Sequence, residues 1–147
     1  MTERIAIFPG SFDPFTIGHQ SIVDRGLTLF DKIVIAIGYN EHKHANSDIE
    51  NRLLTIKKIY TDNNRIEVIS YTGLTIDCAK RFGANFILRG VRNFIDFEYE
   101  RNLAEINRKI GNIETVLLYT LPEHSSVSSS MVRELQHNKV DVSDFLP

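Results

Sequence analysis

What this chain of 147 residues has little of narrows what it can be. It carries one cysteine, Cys78, so no disulfide can form within it and no metal site can rest on several thiolates. That usage fits a reducing compartment. Charge of one sign is equally scarce. Seventeen Lys plus Arg against nineteen Asp plus Glu leave a formal net charge of -2, so no overall basic field points to nucleic acid or to an anionic membrane. Any anion must be recognised by local placement. No apolar run approaches the roughly 18 residues of a membrane-spanning helix, and the apolar part of MTERIAIF is too short for a secretory signal. The expectation is one soluble domain over residues 1–147, in the cytoplasm.

What is present is an alternation of two periodicities. Ile5 to Phe8 is an apolar run that stops at Pro9-Gly10, followed by a turn rich in Ser11, Asp13 and Pro14. Gly18-His19 then leads into helical spacing at Ile22, Val23, Leu27 and Phe30. Lys32 to Gly38 is an apolar run rich in β-branched residues, as a strand buried on both faces would be. Ser47-Asp48-Ile49-Glu50 reads as a capping box opening a second helix. Ile66 to Ser70 is a third strand, and a helix follows from about Leu74 to Phe82, closed by Gly83. Phe86 to Leu88 is a fourth strand, and Asp96 to Ile110 a polar helix stopped by Gly111. Thr115 to Tyr119 is the fifth strand, and a last helix capped by Ser130 or a neighbour runs through Met131, Val132 and Leu135. Five strands alternating with helices predict an α/β fold with a single doubly wound parallel sheet, whose ligands bind beyond the carboxyl ends of the strands.

The polar clusters fall where that rule wants them: Gly10 to His19, Tyr39 to His44, Tyr71 to Thr75, Arg89 to Arg92, and His124 to Ser130. Five loops are thus expected to meet at one crevice. The first turn contains neither GxGxxG nor GxxxxGK[ST], so a phosphate there must be held by other means. His19 at a helix start, the Ser11 hydroxyl and backbone N–H groups near Gly10 and Phe12 can hold one. His19 can equally be a helix cap or core residue, Lys43 a solvated loop residue, and Arg89 and Arg92 ion partners of Asp96, Glu98 or Glu100. His42 and His44 lack a third ligand, Cys78 lacks a nearby histidine, and no nucleophile–base pair is evident. Such a set suits polyphosphate chemistry, in which the protein positions reactants and neutralises charge.

FPGSFDPFTIGH, the Lys43 loop, ILRGVRNFIDFEYE and VSSSMVRE together, in order and spacing, resemble the phosphopantetheine adenylyltransferases. TxGH alone (Thr16 to His19) marks only the wider nucleotidyltransferase superfamily. The resemblance implies a Rossmann-like nucleotidyltransferase fold. It also implies adenylyl transfer from ATP to 4′-phosphopantetheine with Mg²⁺, giving dephospho-coenzyme A and pyrophosphate by direct in-line attack. By position, His19, Ser11, Lys43 and Arg92 would be catalytic. Gly10, Ser11, Phe12, His19, Gly90, Val91, Arg92 and Glu100 would bind ATP, joined by His124, Ser125, Ser126, Val127, Ser128, Ser129 and Ser130. Ser11, Lys43, Thr75 and Arg89 would bind phosphopantetheine. No protein ligand is assigned to the metal, and coenzyme A is implied as a feedback ligand of a homo-hexamer. Ser11 stands where threonine is common, and the chain stops at Pro147, where many relatives add a helix. Two alternatives are a cytidylyl- or adenylyl-transferase acting on another phosphate, and a nucleotide- or CoA-binding module without turnover.

Overall fold

The structure is a computed structural model, and it describes residues 2–40 and 48–147. Five strands, β1 (Ile5–Gly10), β2 (Lys32–Gly38), β3 (Ile66–Tyr71), β4 (Phe86–Val91) and β5 (Glu114–Tyr119), form one sheet in the order β3-β2-β1-β4-β5, every pair parallel. Helices α1 (Ile17–Gly26), α2 (Ile49–Ile59), α3 (Thr75–Arg81), α4 (Phe94–Gly111) and α5 (Ser129–His137) connect or follow them. This is the doubly wound, Rossmann-like arrangement expected from the sequence. None of the described helices is long and apolar enough to cross a membrane.

Strand alternation divides the core in two. Ala6, Phe8, Ile33, Ile35 and Ile37 pack with Ile22 and Val23 of α1 and Ile49 and Ile56 of α2 on one face. Ile7, Ala36 and Ile87 pack with Ile76, Cys78 and Ala79 of α3 on the other. Cys78 is fully buried there, and burial pushes its thiol up from the ordinary value against the opposing influence of Arg81. Helix α1 rides close to the sheet because Gly26 faces it: a Cβ there would come within 2.7 Å of Leu88 and 2.9 Å of Ile33.

Several boundaries differ from the sequence reading, each for a local reason. Strand β1 continues through Pro9 to Gly10, and β4 through Arg89 and Gly90 to Val91, because β2 and β5 still pair with them there. Helix α4 starts at Phe94, since Asn93 caps it by accepting from Asp96 N at 2.9 Å. Gly111 is its last helical residue, and Asn112 takes the left-handed stop position at φ 49°. Asp48 precedes α2 without a side-chain capping bond, and Ser47 lies outside the described residues. Ser128 is the cap of α5, accepting from Met131 N at 3.1 Å. Leu88 is wholly buried on the inner strand β4, so Leu88→Ala is expected to lower unfolding free energy by about 2–5 kcal/mol in denaturant titration.

Candidate active site

Strand β1 pairs with β2 along its whole length, from Ile5–Lys32 to Gly10–Ile37. With β4 it pairs only at Ala6–Phe86 and Ile7–Ile87. Beyond those two pairs the central strands separate towards their carboxyl ends. Two cavities of about 270 and 280 Å³ lie on either side of this gap, and Pro9, Gly10, Ser11, Arg89 and Glu100 line both.

The first cavity is closed by the start of α1. Thr16 caps that helix in a reciprocal box: His19 N donates to Thr16 Oγ1 at 3.4 Å, and Thr16 N donates to His19 Nδ1 at 2.9 Å. Glu or Gln usually fills the third helical position of such a box. Here an imidazole fills it, so His19 is both a cap and a cavity-lining residue. An Nδ1 that accepts a backbone N–H leaves the proton on Nε2, and a neutral imidazole is then a hydrogen-bond donor. The rings of Phe12, Phe15 and Phe8 lie 5.0, 5.4 and 6.3 Å from that of His19. Burial, followed by the charges of Arg89 and Arg92, lowers the histidine pKa to about 4.

Both arginines are held by carboxylates. Arg89 donates through Nη2 to Glu100 Oε1 at 2.7 Å and through Nε to Oε2 at 2.9 Å, while its Nη1 donates to the Pro9 carbonyl. Glu100, 5% exposed, is a charged side chain buried on α4. Arg92 Nε donates to Asp96 Oδ2 at 2.9 Å, and Arg92 N does so at 3.1 Å. Burial raises the Asp96 carboxyl, but these bonds outweigh it and hold the group below the usual carboxylate range. The ion-pair reading of both arginines therefore holds, and it coexists with their place in the cleft.

Of the residues expected to meet a nucleotide, Gly10, Ser11, Phe12, His19, Gly90 and Arg92 line the first cavity. Glu100, Val127, Ser128 and Ser129 line it too. Val91 is buried beside it. Ser125 turns its hydroxyl to the Pro122 carbonyl, and Ser130 pairs with Ser128 at 3.2 Å. Ser126 is exposed. His124 keeps a buried Nδ1 without a partner, and a Cβ on Gly18 would meet the His124 Cβ at 3.9 Å. Thr75 lines the second cavity with its hydroxyl 2.8 Å from Tyr71 Oη, and Ser11 and Arg89 line it as well. Lys43, His42 and His44 lie outside the described residues. Tyr71, the head of the Tyr71 to Thr75 cluster, lines the second cavity too, whereas sequence reasoning gave no role to Asn107 and Thr115 there, the latter with a buried, unpartnered hydroxyl. The signal of Asn107 and Thr115 was hidden, because each sits within an ordinary helix or strand pattern. Among the described residues no three His, Cys, Asp or Glu side chains cluster to hold a metal ion.

The model of the cytidylyltransferase-like family matches residues 7–135. A crystal structure from Vibrio parahaemolyticus, provisionally assigned as a nicotinate-nucleotide adenylyltransferase, superposes with a TM-score of 0.63. It covers 99% of this chain and 94% of its own at 17% identity, a likeness of fold. The fold is that of the nucleotidyltransferases. Within that class, the phosphopantetheine adenylyltransferase of Bacteroides thetaiotaomicron is 55% identical over 98% of this chain and 95% of its own. Those of Flavobacterium psychrophilum and Cytophaga hutchinsonii are 49% and 45% identical, over 98% and 99% of this chain and 95% and 97% of theirs. The chain belongs to the phosphopantetheine adenylyltransferase family.

Because the folded state binds the His19 proton less tightly than the unfolded chain does, stability present at neutral pH is lost as pH falls from about 6.5 towards 4. His19→Gln keeps an acceptor for Thr16 N–H but cannot titrate. Denaturant titrations across this window are expected to show the parent losing up to about 3 kcal/mol more than the variant. Parallel curves would remove the neutral imidazole from the description of the cleft.

Proposed function

We propose that the protein transfers the adenylyl group of ATP to 4′-phosphopantetheine, releasing pyrophosphate and forming dephospho-coenzyme A. The observation that carries this reading is the pair of cavities meeting at Pro9 to Ser11 and at Arg89–Glu100, with a neutral histidine in the first. In the proposal the nucleotide occupies the first cavity, its phosphates towards Ser128 and Ser129 at the start of α5, where backbone N–H groups favour an anion. Phosphopantetheine occupies the second, beside Thr75, with its phosphate at Ser11 and Arg89.

A phosphate oxygen of the second substrate attacks the α-phosphorus in line as the bond to the β-phosphate breaks, and that electron pair leaves with pyrophosphate. The attacking group is already an anion, so no protein base is required. His19 donates from Nε2 to the α-phosphate oxygen where charge gathers, and its lowered pKa keeps it a neutral donor without a proton to lose in the physiological range. Arg92, Ser11 and Lys43 are assigned to the same charge. Glu100 acts by fixing Arg89, and Gly90 and Val127 leave room for the nucleotide.

Mg²⁺ is part of the proposal and supplies neutralisation of the triphosphate. Asp96 and Glu100, the carboxylates of the first cavity, are each committed to an arginine, so the donor set fits an ion held by phosphate oxygens and water. Coenzyme A, which carries the pantetheine arm, is proposed as a feedback ligand of the second cavity. A cytoplasmic homo-hexamer is proposed from the family, supported by apolar side chains that α4 leaves bare, Phe94 at 74% and Ile95 at 79% exposure. Sedimentation is expected to give a mass near six chains; a monomer at micromolar concentration would overturn this.

The reaction is tested by pyrophosphate release, which should require ATP and phosphopantetheine together. His19→Ala is expected to lower kcat about a hundredfold or more. No release from correctly folded protein would sink the enzymatic reading, and an unchanged kcat would take His19 out of the mechanism.

A further inference from the structure

Four carbonyl oxygens from Pro9, near the end of β1, to Pro14, before α1, are each taken by a side chain from elsewhere in the chain. Arg89 on β4 donates to Pro9. Arg52 on α2 donates through Nη1 to Ser11 at 2.7 Å. On α5, Arg133 Nη1 donates to Asp13 at 2.7 Å and Ser129 Oγ to Pro14 at 2.7 Å. None of these bonds builds a helix or strand. They meet at a segment that includes Phe12, a non-glycine residue at φ 47°, a conformation costing about 1–2 kcal/mol for an L-residue. Its ring is buried against Phe8 and Phe15.

Peptide units are planar, and the Ser11–Phe12 bond is trans, the cis bond among the described residues lying between Asp13 and Pro14. Fixing the Ser11 carbonyl therefore also fixes the Phe12 N–H on the opposite edge of the same trans peptide. Ser11 and Phe12 both line the first cavity, and neither Arg52 nor Arg133 does. We infer that Arg52 and Arg133 are positioning residues of the transfer reaction. They hold the 9–14 loop from behind by its carbonyls, so that the Phe12 N–H and the Ser11 hydroxyl are set for the reacting phosphates. Each bond is at the surface and contributes little to global stability. Its effect falls on the shape of the loop, where small displacements of catalytic donors are costly.

The inference rests on the adenylyl-transfer reading, and two readouts separate them. Arg52→Ala and Arg133→Ala are each expected to lower kcat for pyrophosphate release about tenfold, the equivalent of one hydrogen bond, with KM for ATP changed less than about twofold. Arg52→Lys and Arg133→Lys keep a donor within reach and are expected to recover most of the loss. Amide hydrogen exchange in the alanine variants is expected to quicken at residues 11–15 and stay unchanged in β2 and β3. A parental kcat in either alanine variant, or unchanged exchange in the loop, overturns the inference. If the parent protein releases no pyrophosphate, the functional reading fails by itself, and exchange in the loop still decides whether the arginines hold it.

Discussion

The site depends on a proline placed inside the central strand. In an extended strand the N–H and C=O of one residue face the same neighbour, and Pro9 has no N–H to offer. Its carbonyl is taken by the Arg89 side chain of β4, so this edge of β1 faces β4 where the backbone ladder has stopped after Ile7–Ile87. Strand β1 stays bound to β2 and β4 to β5 up to their last residues. The sheet therefore opens along one seam, at the reversal of strand order, and the guanidinium that spans the seam divides the two cavities.

The second constraint is charge. A chain of net charge -2 can receive a triphosphate only if its cations are arranged beforehand. Arg89 and Arg92 each meet a carboxylate inside or beside the cleft, so both guanidinium groups are offset and aimed by their partners. The cost of burying Glu100 is offset by a two-pronged bond to Arg89. His19 contributes without charge. Its ring packs beside three phenylalanines and is anchored through Nδ1 by the Thr16 N–H.

Much of this could be read from the residues because it is local. The apolar runs of β2 and β5, the helix periods of α1 and α2, and the polar loops after the strands all follow from patterns a few residues long. TIGH located the cap and the histidine, although only the structure shows that one imidazole serves both purposes. What was hidden is non-local. Nothing in Phe86 to Val91 reveals that β5 carries β4 past Arg89, since the polar side chain and the glycine that follows imitate a strand end. Asn93 looked like loop, and became a cap only once α4 was placed. Arg52, half-buried on α2, and Arg133, exposed on α5, sit at helix positions where arginine is ordinary, and their carbonyl partners lie 41 and 120 residues away. Tyr71 was read as the start of a polar loop, whereas it ends β3, and only the approach of α3 gives its hydroxyl a neighbour.

The buried thiol has a practical consequence. Cys78 is the only cysteine of the chain, sealed between α3 and the sheet with its ionisation pushed up. Thiolate is the reactive species, so alkylating probes have no ready target on the folded protein. A cysteine introduced at an exposed position would be labelled against a nearly silent background, with no need to remove the natural one. The same burial makes labelling of Cys78 itself a reporter of opening on the α3 face, the side of the sheet away from His19.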